Sequence, residues 1–125
     1  MSNKSILCID DEPIRYNALA FQAEQKDIQI LLAQTIAQAK FYLDRPHQII
    51  GICLDHDMPE ANGLHYAEHI IENPTIPIVI TSLNTDGARR IGYILDNKGT
   101  KWYHANIGVT TWAWNAITFF LNNQL

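Results

Sequence analysis

Cysteine is nearly missing from this sequence: Cys8 and Cys53 are the only two among 125 residues, too few for the disulfide framework of a small secreted domain. No apolar stretch approaches the roughly 20 residues that a membrane-spanning helix needs, so no membrane association is expected. The opening Met1-Ser2-Asn3-Lys4 lacks the charged leader, long apolar segment and small-residue cleavage site of a signal peptide, and a cytoplasmic location follows as the default expectation. Basic charge is scarce as well. Nine Lys and Arg against 13 Asp and Glu give a formal net charge of −4, which argues against an extended nucleic-acid surface, because such surfaces carry a basic stripe. A small phosphorylated ligand stays compatible with that charge, since one bound metal ion reverses the local sign. With no internal repeat or low-complexity segment, the chain is expected to form one compact domain over 1–125.

What the chain does have is three apolar runs that end in acidic or hydroxyl groups: Ile6-Leu7-Cys8-Ile9-Asp10-Asp11, Ile49-Ile50-Gly51-Ile52-Cys53-Leu54-Asp55 and Ile76-Pro77-Ile78-Val79-Ile80-Thr81-Ser82. Such a run reads as a strand buried on both faces, and open parallel sheets bind ligands at the carboxyl ends of their strands. Apolar runs alternate with amphipathic segments along the whole chain, which is the pattern of βαβ units. Strands are expected near 5–9, 28–33, 49–54, 76–81 and 101–105, and helices over 14–25, 35–44, 62–72, 86–97 and 109–122. The second helix carries Ile36, Ala39, Lys40 and Leu43 at helical spacing and stops before Pro46. The third carries Leu64, Ala67, Ile70 and Ile71 and stops before Pro74, and Leu125 closes the last. Five such units predict an α/β domain with a five-stranded, parallel, doubly wound sheet of the flavodoxin-like (βα)5 type. Cys8 and Cys53, each two residues before a strand-terminal aspartate, are expected as buried free thiols on neighbouring strands.

Asp10, Asp11 and Asp55 converge if the first and third strands are neighbours. Three carboxylates that close repel one another, and a hard divalent cation, Mg²⁺ or Mn²⁺, would neutralise them. Such a cation can polarise a phosphoryl oxygen or lower the pKa of a bound water. His56, Asp57 and His104 are then candidates for proton transfer, since imidazole titrates near neutrality. The plainer alternatives are an exposed loop residue for His56 and a single strand-end hydrogen bond for His104. Asn84 and Gly87 lie where the fourth strand turns into a helix, where free amides suit an anionic oxygen, or where Asn84 is simply an N-cap. Trp102, Tyr103, Trp112, Trp114, Phe119 and Phe120 crowd the C-terminal region. They either pack on the sheet or offer a partner or dimer surface. Trp112 and Trp114, two apart, cannot share a helix face, so one is expected to be exposed.

Together these residues resemble the receiver domain of bacterial two-component signalling over nearly the whole chain. The resemblance rests on Asp10-Asp11 with Glu12-Pro13 after it, Asp55 three residues before Met58-Pro59, Gly63 eight residues after Asp55, and Ser82 after Ile76-Pro77. It implies that Asp55 accepts a phosphoryl group, that Asp10, Asp11 and the backbone carbonyl of Asp57 hold Mg²⁺ beside it, that Ser82 contacts the phosphoryl oxygens, and that the partner is a histidine kinase. Receivers end their fifth strand with a lysine followed by proline. Here Lys101-Trp102-Tyr103-His104-Ala105-Asn106 places His104 at the lysine position, with Lys101 directed to the other face. A second resemblance is to a receiver-derived family proposed to process cyclic phosphates. Leu54-Asp55-His56-Asp57 and Thr81-Ser82-Leu83-Asn84-Thr85-Asp86-Gly87 are similar to its motifs, with Thr81 in place of a histidine. It implies a metal-dependent phosphoesterase in which Asp55 only holds the metal. The first expectation is therefore a phosphoesterase opening cyclic phosphates. The alternative is a single-domain response regulator phosphorylated on Asp55, and the third is a protein-interaction module using the aromatic C-terminal region.

Overall fold

The computed structural model describes residues 4–45 and 48–124. The helix stop assigned to Pro46 and the closing position assigned to Leu125 lie outside the described residues. The apolar runs form β1 (Lys4–Ile9), β2 (Gln29–Ala33), β3 (Gln48–Leu54), β4 (Ile78–Ile80) and β5 (Trp102–His104). They pair in parallel in the order β2-β1-β3-β4-β5, the doubly wound sheet expected from the alternating pattern. The chain leaves β1 toward β2 and then crosses back to β3, so the crevice between the carboxyl ends of β1 and β3 is where such sheets take ligands.

Helices α1 (Pro13–Glu24) and α5 (Trp112–Asn122) cover one face, while α2 (Ile36–Leu43) and α4 (Thr85–Lys98) lie on the other. Pro13 starts α1 at the position where its missing N–H costs nothing. The Thr35 side chain caps α2 by accepting from the Gln38 N–H at 3.1 Å. Helix α4 ends on Gly99 in the left-handed region, φ 75°. Strand alternation sends Leu7, Ile9, Leu54, Ile78 and Ile80 against Tyr66, Ile91 and Leu95. Ile6, Cys8, Cys53 and Val79 meet Leu19, Ile117 and Phe120 on the α1/α5 face. Cys8 and Cys53 are register partners, both free and buried, and burial pushes both thiols up, away from reactivity.

The third helix departs from its expected span of 62–72. It is one α turn, α3 (Gly63–His65), that runs into a π turn over Tyr66–Ile70. The Ile71 N–H reaches the Tyr66 carbonyl at 2.9 Å, an i→i+5 bond, which lets Tyr66, Ala67, Ile70 and Ile71 all bury. The Lys98 ammonium donates to the carbonyls of Ala67, Glu68 and Ile71, and so satisfies the acceptors left over at this early end. The last helix begins at Trp112 rather than 109, because residues 109–111 close turn bonds from Val109 to Asn106 and from Trp112 to Val109 instead. Of the C-terminal aromatics, Phe120 and Trp112 are buried and Tyr103 stacks on Phe119 at 5.7 Å. Trp114 is the exposed member of its pair, at 40%, with the Lys26 ammonium 4.9 Å from its ring centre. No helix among the described residues is long and apolar enough to cross a membrane.

The Tyr66 hydroxyl is fully buried and has no hydrogen-bond partner in the protein. An orphaned buried hydroxyl costs about 1–3 kcal/mol. Tyr66→Phe is therefore expected to stabilise the fold by roughly 1 kcal/mol, read as a higher urea midpoint at unchanged slope.

Candidate functional site

The register of the sheet assembles the site. Ile9 pairs with Leu54, Leu54 with Ile80 and Ile80 with His104, so the next residues, Asp10, Asp55, Thr81 and Ala105, stand side by side at the carboxyl rim. Backbone bonds fix that level: the Asp10 N–H donates to the Ala33 carbonyl at 3.1 Å, Asp55 to Ile9 at 3.0 Å, Thr81 to Leu54 at 2.9 Å and Ala105 to Ile80 at 3.0 Å. Alternation from Cys8, Cys53, Val79 and Tyr103 turns all four side chains to the α1/α5 face. Gly63 holds the loop after Asp55 close: its N–H donates to the His56 carbonyl at 2.9 Å, and a Cβ there would lie 2.6 Å from the Asp55 carbonyl oxygen.

Carboxylate oxygens of Asp10, Asp11 and Asp55 lie within 4.8 Å of one another. Asp10 is fully buried and Asp55 is 3% exposed. Burial, followed by the Asp10 charge, pushes the Asp55 carboxyl up to about 6, with Arg15 acting in the opposite direction. The cleft above them, about 230 Å³, is lined by Asp11, Glu12, Arg15, Asp55, Asp57, Leu83 and Ile107. A larger cleft of about 700 Å³ opens at the amino ends of the strands, among Lys40, Asp44, Gln48, His69 and Glu72. Among the described residues, no trio of carboxylates converges there as at the carboxyl rim. Three oxygen donors at this spacing, one of them still reluctant to ionise, fit a hard divalent cation.

Arg15, which the sequence reading passed over, occupies the middle of the cluster. Its Nε donates to Asp10 Oδ2 at 2.5 Å and its terminal nitrogen to Asp10 Oδ1 at 2.8 Å and Asp55 Oδ2 at 3.3 Å. This two-point bond to Asp10 keeps the guanidinium firmly charged. The signal was an arginine five residues after Asp10, in the first turn of α1, where the helix start folds it back over the strand end. Asp10 Oδ1 also accepts from the Glu12 N–H at 2.9 Å, which ties the loop to the same carboxylate.

His104 does not stand where the strand-five lysine would. It shares the face of Trp102, away from Asp55, and its Nε2 pairs with the Ser82 carbonyl at 2.8 Å. The β4–β5 register gives the lysine position to Ala105, and counting from the polar end of the segment without the register missed this by one residue. Lys98 is committed to the π turn and Lys101 sits at the opposite end of β5, so neither lysine reaches the acidic cluster. Ser82 is buried at the end of β4, where its Oγ accepts from the Asn84 N–H at 3.0 Å. The Asn84 side chain caps α4, accepting from the Gly87 N–H at 2.9 Å.

The structure also gathers His56, Asp57, Asn84 and Gly87. His56 Nδ1 lies 2.8 Å from Asp57 Oδ1 and 3.4 Å from Asn84 Nδ2. The shorter contact assigns the proton to Nδ1 and leaves Nε2 as the basic nitrogen. A Cβ at Gly87 would meet the His56 ring at 2.6 Å, so only glycine admits this packing.

A carboxyl pushed up to about 6 from 3.8 carries a stability signature. The folded chain keeps the Asp55 proton to higher pH than the unfolded chain does, so stability is lost as pH rises from about 4 to 6. Without metal, Asp55→Asn is expected to be more stable than the parent at pH 7 by on the order of 1–2 kcal/mol, allowing for partial solvent screening, with the gain gone at pH 4. Urea melts in a chelator at the two pH values check it.

Known proteins share this fold. A rice (Oryza sativa subsp. japonica) two-component response regulator, ORR13, is 24% identical over 85 residues, covering 66% of this chain and 70% of that protein. A response regulator receiver protein from Pseudomonas putida superposes with a TM-score of 0.75 at 18% identity, over 99% of each chain. The receiver domain of the Pseudomonas aeruginosa sensor histidine kinase PA1611, solved with magnesium coordinated in its active site cleft, superposes at 0.69 with 15% identity over 97% of this chain and 99% of its own. The family profile described as response regulator receiver domain matches residues 6–96, a span that contains the acidic pair, Asp55 and Ser82. By that match and by its fold, the chain belongs to the response regulator receiver domain family.

Proposed function

We propose that the chain receives a phosphoryl group on Asp55 from a histidine kinase in a two-component pathway. The observation that carries this reading is the buried Asp55 carboxylate flanked by Asp10 and Asp11 under an open cleft at the carboxyl rim. An Asp55 oxygen attacks the phosphorus of a phosphohistidine, and the O–P bond forms as the P–N bond breaks. The electron pair leaves on the imidazole nitrogen, which takes up a proton. Asp10, Asp11 and the Asp57 carbonyl are the groups that would hold Mg²⁺, which would supply charge neutralisation at the transferring group. This chain's own parts do the rest. The Asp57 backbone N–H favours the ionised form of the Asp55 carboxyl, and Leu83 and Ile107 line the cleft above it. Incubation with phosphoramidate and Mg²⁺ is expected to add one phosphoryl group to the parent chain and none to Asp55→Asn. A chain that stays unmodified under conditions where Mg²⁺ binds would overturn the reading.

A second reading, opening of a cyclic phosphate by metal-dependent hydrolysis, is favoured by one observation. The His56–Asp57 pair is packed on Gly87 beside Asn84, and Asp57 lines the acidic cleft. In it a water oxygen attacks phosphorus, one ring P–O bond breaks, and the proton passes through His56 to the leaving alkoxide. Appearance of a monoester ³¹P signal from a 2′,3′-cyclic nucleotide, lost in His56→Gln, would support it. An unchanged cyclic signal would exclude it.

A further inference from the structure

We infer that Arg15 is the cation that engages the phosphoryl group on Asp55, taking from α1 the part that a strand-five lysine plays elsewhere in the family. The inference rests on the proposed acceptor role of Asp55. Three observations carry it. The lysine level of β5 is held by Ala105, a methyl group facing the same side as Asp55. The Arg15 terminal nitrogen already touches Asp55 Oδ2 at 3.3 Å, and among the described residues Arg15 is the basic side chain bonded to Asp10 and Asp55. Between Asp55 and Ala105 stands Thr81, 1% exposed, whose Oγ1 has no hydrogen-bond partner in the protein. A buried donor left unpaired beside a small alanine, next to the acceptor carboxylate, suits an incoming oxyanion.

The guanidinium suits the task by shape as well as charge. Its planar fork holds Asp10 through Nε and one terminal nitrogen while that same terminal nitrogen reaches toward Asp55. Phosphorylation replaces one carboxylate oxygen's charge with a dianionic group at that point, and a donor already placed there needs little rearrangement to stabilise it. Arg15 also neutralises Asp10 in the chain without a divalent cation, so it competes for the acidic pair in one state and serves the acceptor in the other. That dual position gives an unusual signature: removing Arg15 should tighten Mg²⁺ binding and yet slow phosphoryl uptake.

The test is the rate of Asp55 phosphorylation by phosphoramidate at saturating Mg²⁺ in the parent, Arg15→Ala, and Arg15→Ala with Ala105→Lys. Mg²⁺ affinity and thermal melting are measured on each. The expected result is a maximal rate about 10- to 100-fold lower in Arg15→Ala at unchanged half-saturating donor concentration. Ala105→Lys should recover most of that loss by restoring an ammonium on the rim face. Arg15→Ala that labels at the parent rate overturns the inference while leaving Asp55 as acceptor. A slow Arg15→Ala that Ala105→Lys does not rescue, with the melting temperature lowered in step, assigns Arg15 a structural part and overturns it too. A parent chain that never labels removes the acceptor reading and the inference together, and is told apart from the other outcomes by the parent alone.

Discussion

Asp10→Asn should weaken Mg²⁺ binding by about 100-fold, and Arg15→Gln should tighten it about tenfold, a spread of roughly 4 kcal/mol between two neighbours in one cluster. Asp10 offers both oxygens to the acidic rim, and both are bonded to Arg15. Removing its charge takes away a ligand and also frees the guanidinium to stay near Asp55, where it repels an incoming cation. Removing Arg15 does the reverse: three carboxylate donors within 4.8 Å lose their internal counter-ion and need an external one more. Calorimetric titration with Mg²⁺ reads both. Equal affinities in parent, Asp10→Asn and Arg15→Gln would mean that the cation binds elsewhere.

Gly51→Ala should be the most damaging small substitution in the sheet. A Cβ at Gly51 would lie 2.2, 2.4 and 2.5 Å from Cδ1, Cγ and Cε1 of the Phe120 ring. The ring is fully buried on the α5 face, in one cluster with Leu19, Ala116 and Ile117. Relieving the clash requires shifting α5 or the central strand β3, at a cost of roughly 3 kcal/mol or more, which lowers the melting temperature by about 10–15 °C. Phe120→Leu alone destabilises by leaving a void, but in the Gly51→Ala background it should recover part of the loss, because the two sites share one space. Additive effects of the two changes would show that the close approach of Gly51 and Phe120 is not what limits the strand.

Strands and their parallel order were legible in the sequence because aliphatic runs buried on both faces have few other uses in a chain of this size. Asp10 and Asp55 were legible for the same reason: each interrupts its run at the point where the strand must end. What the sequence did not show was register and winding. His104 looked like the lysine substitute because the residue count at the end of β5 is ambiguous by one, and one residue in a strand reverses the face. The β4–β5 pairing resolves it in favour of Ala105. The π turn was hidden because Leu64, Ala67, Ile70 and Ile71 fit an α-helical spacing equally well, and the deciding contact, Lys98 with the carbonyls at the turn's end, is 27–31 residues away in the chain. Arg15 was hidden because an arginine in a first helical turn is common on surfaces. Only the fold-back of α1 over the rim brings it to Asp10.

The central claim, that Asp55 is a phosphoryl acceptor, is tested most directly by trapping. Treatment of the phosphoramidate-labelled chain with borohydride reduces an aspartyl phosphate to homoserine, and peptide mass spectrometry locates it. The account predicts Mg²⁺-dependent homoserine at position 55 and nowhere else. Label retained on His56, or inorganic phosphate released with Asp55 unreduced throughout, would contradict it.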